Sequence, residues 1–262
     1  QRARIWPKFQ AIRTAMNDCG LKHFEDATLD ACEIMDRETS VKKYRSIVID
    51  ETQDIGEAGL KLLRKLVPEQ PNDMFLVGDG HQRIYRRFAV LSKCGIRVVG
   101  RGKKLKINYR TTEEIRNFAA SALKDAKFDD LDGATDNDSG YRSLTHGSNP
   151  TLVRYATAQD ERNGVADLLS RLVSSGANES DICIIGRTNR IVEEFETHLA
   201  RRGWDTELLR NRGDRRHING VRLGTMHRVK GLEFKHVFIV NACRDTIPLK
   251  SNELATSDSV EK

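Results

Sequence analysis

Three consecutive β-branched residues, Ile47-Val48-Ile49, end directly in two carboxylates, Asp50 and Glu51. No other stretch constrains the fold as strongly. β-branched side chains fit the pleated surface of a strand, and an unbroken apolar run of this kind suits a buried strand of a parallel sheet. Sheets of that class collect ligands at the carboxyl ends of their strands. An Asp-Glu dipeptide on a loop is ordinarily a solvated pair. At a strand end it offers oxygen ligands to a hard cation and an acid that can orient or deprotonate water. Asp50 and Glu51 are therefore candidate Mg2+ ligands, and Glu51 is also the candidate base.

The rest of the chain alternates in keeping with that start. Trp6, Phe9, Ile12 and Met16 recur at helical spacing before a stop at Gly20, so residues 1–43 read as a helical remnant. From residue 44 the pattern predicts a strand at 46–49, a helix over 54–67 ended by Pro68, and a strand at 74–77. Short strands are expected at 96–99 and 105–107. A helix follows to about residue 126, opened with capping-box spacing between Thr111 and Glu114. Residues 129–149 are rich in Asp, Gly, Ser, Thr and Asn without apolar periodicity, and read as a linker. Beyond it, strands are expected at 151–156, 182–185, 221–224 and 237–240, with helices over 160–173 and 190–202. The expected architecture is α/β with parallel sheets: a partial domain over 44–128, the linker, and a second partial domain over 150–262.

Composition narrows the function classes. No apolar run approaches the roughly 18 residues of a membrane span, and the chain opens Gln1-Arg2-Ala3-Arg4, unlike a signal peptide. The expectation is a cytoplasmic protein without a membrane partner. Five scattered cysteines with no Cys-x-x-Cys pair point to neither a disulfide framework nor a zinc site. The net charge of +6 is compatible with a polyanionic partner. Clustering says more than the total: Arg83, Arg86, Arg87, Arg101, Lys103, Lys104, Lys106 and Arg110 fall close together, which a solvated surface also explains.

Three further segments carry chemistry. Residues 78–85 follow the second expected strand; glycines there admit close backbone approach, and the Gln82 amide can both donate to a phosphate oxygen and accept from water. Asn108-Tyr109-Arg110 lies at a strand-to-helix junction, where an arginine can meet a phosphoryl group and a tyrosine offers a flat stacking face. Residues 225–234 gather Thr225, His227, Lys230 and Glu233 around Gly231 between two strands. Each segment taken singly also reads as a polar loop.

Taken in order, these four segments resemble motifs two to five of the UvrD/Rep family of superfamily-one helicases, and the resemblance covers essentially the whole chain. It implies two RecA-like domains with ATP between them, stepping along a single strand as they close and open. It also implies residue roles. The positions of Asp50 and Glu51 hold Mg2+ and activate the attacking water, that of Gln82 couples the terminal phosphate to DNA, and that of Arg110 contacts the same phosphate. Tyr109 matches an adenine-stacking residue, Glu233 a ribose contact, Thr225 and His227 contacts to single-stranded DNA, and Lys230 a link between motifs.

The chain departs from the family in three places. It contains no Gly-x-x-x-x-Gly-Lys-Ser/Thr phosphate loop, and the sixth motif with its catalytic arginine is missing after residues 240–243. After Tyr85, where relatives place a stacking tryptophan, it has Arg86-Arg87-Phe88; Arg87 through its planar guanidinium, or Phe88, can take that place beside Tyr85. The expected function is thus that of a fragment of an ATP-dependent 3′-to-5′ DNA helicase, using ATP and Mg2+ and acting on single-stranded DNA or a duplex with a single-stranded tail. The isolated fragment is expected to be inactive, and unidentified protein partners are compatible with it. The rival readings are a non-catalytic nucleic-acid or protein-binding module, and a translocase that does not unwind.

Overall fold

The computed structural model describes residues 2–38, 44–84, 89–123, 131, 140–209, 219–244 and 246–247. The chain divides into two compact units, Gln1–Thr151 and Leu152–Lys262.

The first unit opens with two helices, α1 (Arg2–Asp18) and α2 (Phe24–Arg37). Then come β1 (Ile47–Ile49), α3 (Glu57–Lys65) and β2 (Met74–Leu76), and after them β3 (Ile107–Asn108), α4 (Glu113–Ala122) and β4 (Arg142–Ser143). β1 and β2 pair in parallel, with Ile47 opposite Met74, Val48 opposite Phe75 and Ile49 opposite Leu76. The pleat sends Ile49 inward, while Met74 and Leu76 pack on a core of Leu60, Ala89, Leu91, Cys94 and Ile96. Val48 and Phe75 point to the other face, where they are 75% and 64% exposed. The expectation of a strand buried on both sides therefore holds for one face of β1 only.

Helix α3 begins later than its sequence pattern predicts. Thr52 donates both its N–H and its hydroxyl to the Val77 carbonyl, at 3.0 and 2.9 Å, so residues 52–54 close a separate 3-10 turn against the end of β2. The helix then starts behind Gly56. The strand expected at 96–99 does not form. Gly95 and Gly100 turn the chain at either side with φ of 77° and 74°, and Ile96 and Arg101 donate locally to the Leu91 and Val98 carbonyls. β4 lies inside the stretch that composition marks as a linker; it pairs in parallel with β3, Ile107 opposite Arg142.

The second unit is a four-stranded, wholly parallel sheet in the order β6-β7-β5-β8. Its elements are α5 (Ala158–Ser174), β5 (Ile182–Gly186), α6 (Asn189–Arg201), β6 (Thr206–Leu208), β7 (Val221–Thr225), the single turn α7 (Met226–Val229) and β8 (His236–Ile239). Thr157 and Asp160 close a reciprocal capping box at the start of α5, and Thr188 caps α6. Val165, Ala166 and Leu169 of α5, and Ile191, Val192, Phe195 and Leu199 of α6, pack on Ile182, Ile184, Val221 and Leu223 of the two central strands. At Gly220 a Cβ would lie 2.5 Å from the Asp205 carbonyl, so only glycine lets β7 start this close to the chain entering β6. Among the described residues the strand expected at 151–156 does not form, and Leu152 and Val153 are exposed. β6 has no counterpart in the sequence reading.

Candidate active site

Both clusters of expected site residues lie at the carboxyl ends of parallel strands. In the first unit, β1 delivers Asp50 and Glu51 and β2 delivers residues 78–82. Glu51 has φ of 52°, the left-handed region that disfavours side chains by about 1–2 kcal/mol. The strain is held by Asp50, whose Oδ1 accepts the Glu51 N–H at 2.8 Å, and by the buried turn that follows. Such strain concentrates where a side chain must be aimed.

The side chain of Gln53 joins the two strand ends. It is 2% exposed. Its Nε2 donates to Glu51 Oε2, and its Oε1 accepts the Asp79 N–H at 3.0 Å. The amide orientation is forced, because a backbone N–H only donates and a carboxylate only accepts. Gly78 is what allows this approach: a Cβ there would stand 2.9 Å from Gln53 Oε1. Asp79 in turn organises the loop, its Oδ1 accepting the His81 N–H at 2.9 Å and its Oδ2 accepting from Gln82 Nε2 at 2.9 Å. The structure thus brings Asp50, Glu51 and Gln82 onto neighbouring strand ends, bridged by Gln53 and Asp79. The bridging role of those two has a weak sequence signal, a polar residue two positions after Glu51 and another three positions before Gln82.

Tyr109 and Arg110 occupy the turn from β3 into α4, shaped by Asn108, whose Oδ1 accepts the Arg110 N–H at 2.8 Å. Tyr109 is 72% exposed. Glu113 and Glu114, at the start of α4, hold the chain around β4. Arg116 first, and then the Ser143 N–H, bring the Glu113 carboxyl down to about 2. His146 and the Gly147 N–H do the same for Glu114, also to about 2, and Glu114 raises His146 in return.

In the second unit, Thr225 ends β7 and His227 follows in α7, both partly buried. Gly186 and Thr225 are register partners, which puts Arg187 next to His227, with Nη1 3.4 Å from Nδ1. A guanidinium only donates, so His227 can join this hydrogen bond only as an acceptor at Nδ1. Arg187 is a cation at this strand end that motif reading misses. Lys230 closes α7 and exposed Glu233 stands in the loop to β8. Tyr85, Arg87 and Phe88 lie outside the described residues.

Among the described residues, no group of three or more His, Cys, Asp or Glu is placed to hold a metal ion, and no helix is long and apolar enough to cross a membrane. Two adjacent carboxylates are still a sufficient protein share for Mg2+, which takes one or two of them and fills its octahedron with phosphate and water.

Comparison with known proteins follows the same lines. Residues 2–91 match the profile of the UvrD/REP helicase N-terminal domain, and residues 103–211 and 205–261 that of the UvrD-like helicase C-terminal domain. The chain is 24% identical to the ATP-dependent DNA helicase UvrD2 of Mycobacterium tuberculosis over 213 residues, 78% of the chain and 30% of that protein. It is 29% identical to the ATP-dependent DNA helicase PcrA of Bacillus subtilis over 191 residues, 65% of the chain and 24% of that protein. With the mitochondrial ATP-dependent DNA helicase HMI1 of Saccharomyces cerevisiae it shares 23% over 229 residues, 79% of the chain and 32% of that protein. The chain thus spans about a third or less of the length of these relatives. Profiles that cover most of its length, on a parallel α/β frame, establish that the chain belongs to the UvrD/Rep helicase family.

Proposed function

We propose that this chain is part of an ATP-dependent DNA helicase that couples ATP hydrolysis to 3′-to-5′ movement on single-stranded DNA, taking up a free strand or a duplex with a single-stranded tail. The observation that carries the reading is the juxtaposition of Asp50, Glu51 and Gln82 at adjacent parallel strand ends, bridged by buried Gln53. The names of the relatives, each an ATP-dependent DNA helicase, support the nucleotide and the substrate class.

In this reading Mg2+ bound with ATP supplies the positive charge that neutralises the transferring phosphoryl group. Asp50 and Glu51 hold that ion, and Glu51 accepts the proton of the attacking water. Gln82 answers the terminal phosphate through an amide already steadied by Asp79. Arg110 provides a cation for the same phosphate, Tyr109 a stacking face for adenine, and Glu233 an acceptor for ribose. Thr225 and His227, with Tyr85, Arg87 and Phe88, contact the strand, and Lys230 ties the last motif to its neighbours. Residues 1–43 are the helical remnant, 44–128 and 150–262 the two partial RecA-like domains joined by 129–149, and the cytoplasm is the expected compartment.

The test uses the complete polypeptide that contains this chain. Glu51→Gln is expected to lower DNA-stimulated ATP turnover by about 10²–10⁴-fold while ATP still binds. Turnover unchanged in that variant overturns the reading. Strand displacement on a tailed duplex separates a helicase from a translocase that does not unwind. The 262-residue chain by itself, which contains no phosphate loop, is expected to show negligible turnover.

A further inference from the structure

We infer that Gln53 is a positioning residue for ATP hydrolysis, which fixes the Glu51 carboxylate and ties it to the loop that carries Gln82. The inference rests on the reading of Glu51 as the acid that activates water. Four observations lead to it. Gln53 is a polar side chain at 2% exposure, in a place where an unpaired amide would be strongly disfavoured. Both ends of that amide are used, Nε2 on Glu51 Oε2 and Oε1 on the Asp79 N–H. The residue it steadies has a left-handed backbone, so Glu51 has little freedom left once its carboxylate is held. Finally, Asp79 passes the link on, since its carboxylate accepts from Gln82 Nε2.

The path Glu51, Gln53, Asp79, Gln82 runs through three hydrogen bonds and spans two strand ends. A shift of the β2 loop pulls on Gln53 Oε1, and the rigid amide transmits that shift to the Glu51 carboxylate. Core packing alone would not select this residue: an apolar side chain of similar length would fill the volume and satisfy neither partner.

Two substitutions separate positioning from simple structural support. Gln53→Met removes both hydrogen bonds at nearly constant volume. Gln53→Glu keeps an acceptor for the Asp79 N–H but has no donor for Glu51. In the complete polypeptide, both are expected to lower the DNA-stimulated kcat at least about 10-fold with KM for ATP within about threefold, because misplacing a reacting group by about 1 Å can reduce rate 100-fold. Hydrogen exchange then distinguishes them: the Asp79 amide loses protection in Gln53→Met and keeps it in Gln53→Glu. A structural role predicts instead that activity follows loop protection, so a Gln53→Glu variant with near-normal kcat overturns the inference.

Gly78→Ala provides a third arm, since its Cβ presses on Gln53 Oε1 without changing Gln53. It is expected to reproduce the kcat loss even where a Gln53 variant folds poorly, and a normal kcat in it counts against the inference. Glu51→Gln is the control for the underlying reading. If that variant still turns over ATP, the assignment of Glu51 falls; if it is inactive while Gln53→Glu is active, only the role of Gln53 falls.

Discussion

Asp73 shows how one side chain sets the geometry on which the site depends. It is 6% exposed at the start of β2, where its Oδ2 lies 2.7 Å from Arg64 Nη1 and its Oδ1 accepts the Met74 N–H at 2.8 Å. Its own carbonyl accepts the Ile47 N–H, so the residue anchors the register of β1 on β2 and with it the alignment of Asp50 with the Gly78 loop. Burial pushes the Asp73 carboxyl up, but the Arg64 guanidinium together with the Gln70 and Met74 N–H groups outweighs burial and leaves it below its usual 3.8. A lowered carboxyl stabilises the fold above the unfolded value, and that contribution fades as pH falls through the folded one. Asp73→Asn keeps the shape and removes the charge opposite Arg64. It is expected to destabilise the first unit by roughly 3–5 kcal/mol at pH 7, the range for breaking a largely buried pair. The difference from wild type should shrink below pH 3.8, which urea unfolding of both proteins at pH 7 and pH 3 will check. An equal difference at both pH values would rule out the ion pair as its cause.

At the scale of elements, the regular pieces were legible where one physical signal dominated. The helix expected at 160–173 forms as α5, starting two residues earlier, Gly203 with φ of 83° ends α6, and the apolar spacing of Ile191, Phe195 and Leu199 matches the face that α6 buries. The cap expected from Thr111, by contrast, is made by Thr112, whose hydroxyl accepts the Ile115 N–H. Strands at 96–99 and 151–156 were misread because apolar residues mark burial or a bare surface as readily as pairing; Ile96 is a core residue of a turn and Leu152 is exposed. β4 was hidden in a polar stretch because its attachment is made by side chains thirty residues away. Glu113 accepts the Ser143 N–H at 2.6 Å, and Glu114 accepts the Gly147 N–H at 2.8 Å and meets His146 Nδ1 at 2.9 Å. These contacts give the attachment a pH window. The Glu113 and Glu114 contributions are present above the usual 4.5 and are lost as pH falls through about 2. The raised imidazole contributes below its usual 6.5 and is lost as pH rises through its folded value. Amide protection across residues 142–147, corrected for intrinsic rates, is therefore expected to be greatest between pH 4.5 and 6.5. His146→Ala should remove the decline on the alkaline side and leave the acid limb, as hydrogen exchange will show; an unchanged alkaline limb would mean that His146 has no part in it.

For the whole molecule, the positions of the candidate site residues were more legible in the sequence than the side chains that support them. Asp50, Glu51, Gln82, Thr225 and His227 follow strands in recognisable strings, whereas Gln53, Asp79 and Arg187 act through partners that only folding brings near. The same folding gives each unit its own core: Leu60, Leu91 and Cys94 in the first, and Leu169, Ile184 and Leu223 in the second. The cysteines report on these cores separately. Cys19 and Cys243 are exposed, while Cys32, Cys94 and Cys183 are buried. Burial raises the thiols of Cys32 and Cys94 and pushes that of Cys183 up to about 12. A thiol reacts as thiolate and only where reagent can reach it. In the folded protein at pH 8, iodoacetamide is thus expected to modify Cys19 and Cys243 readily, and the other three only through opening of the structure. Leu169→Ala, at a side chain with 0% exposure, should destabilise the second unit by about 2–5 kcal/mol. At roughly 1–3 kcal/mol per molar urea, the midpoint for Cys183 labelling should fall by about 1 M or more, while that for Cys94 stays where it was. Mass-spectrometric labelling against urea concentration measures both sites in one experiment. Parallel shifts of Cys94 and Cys183 would show that the two cores unfold as one cooperative body.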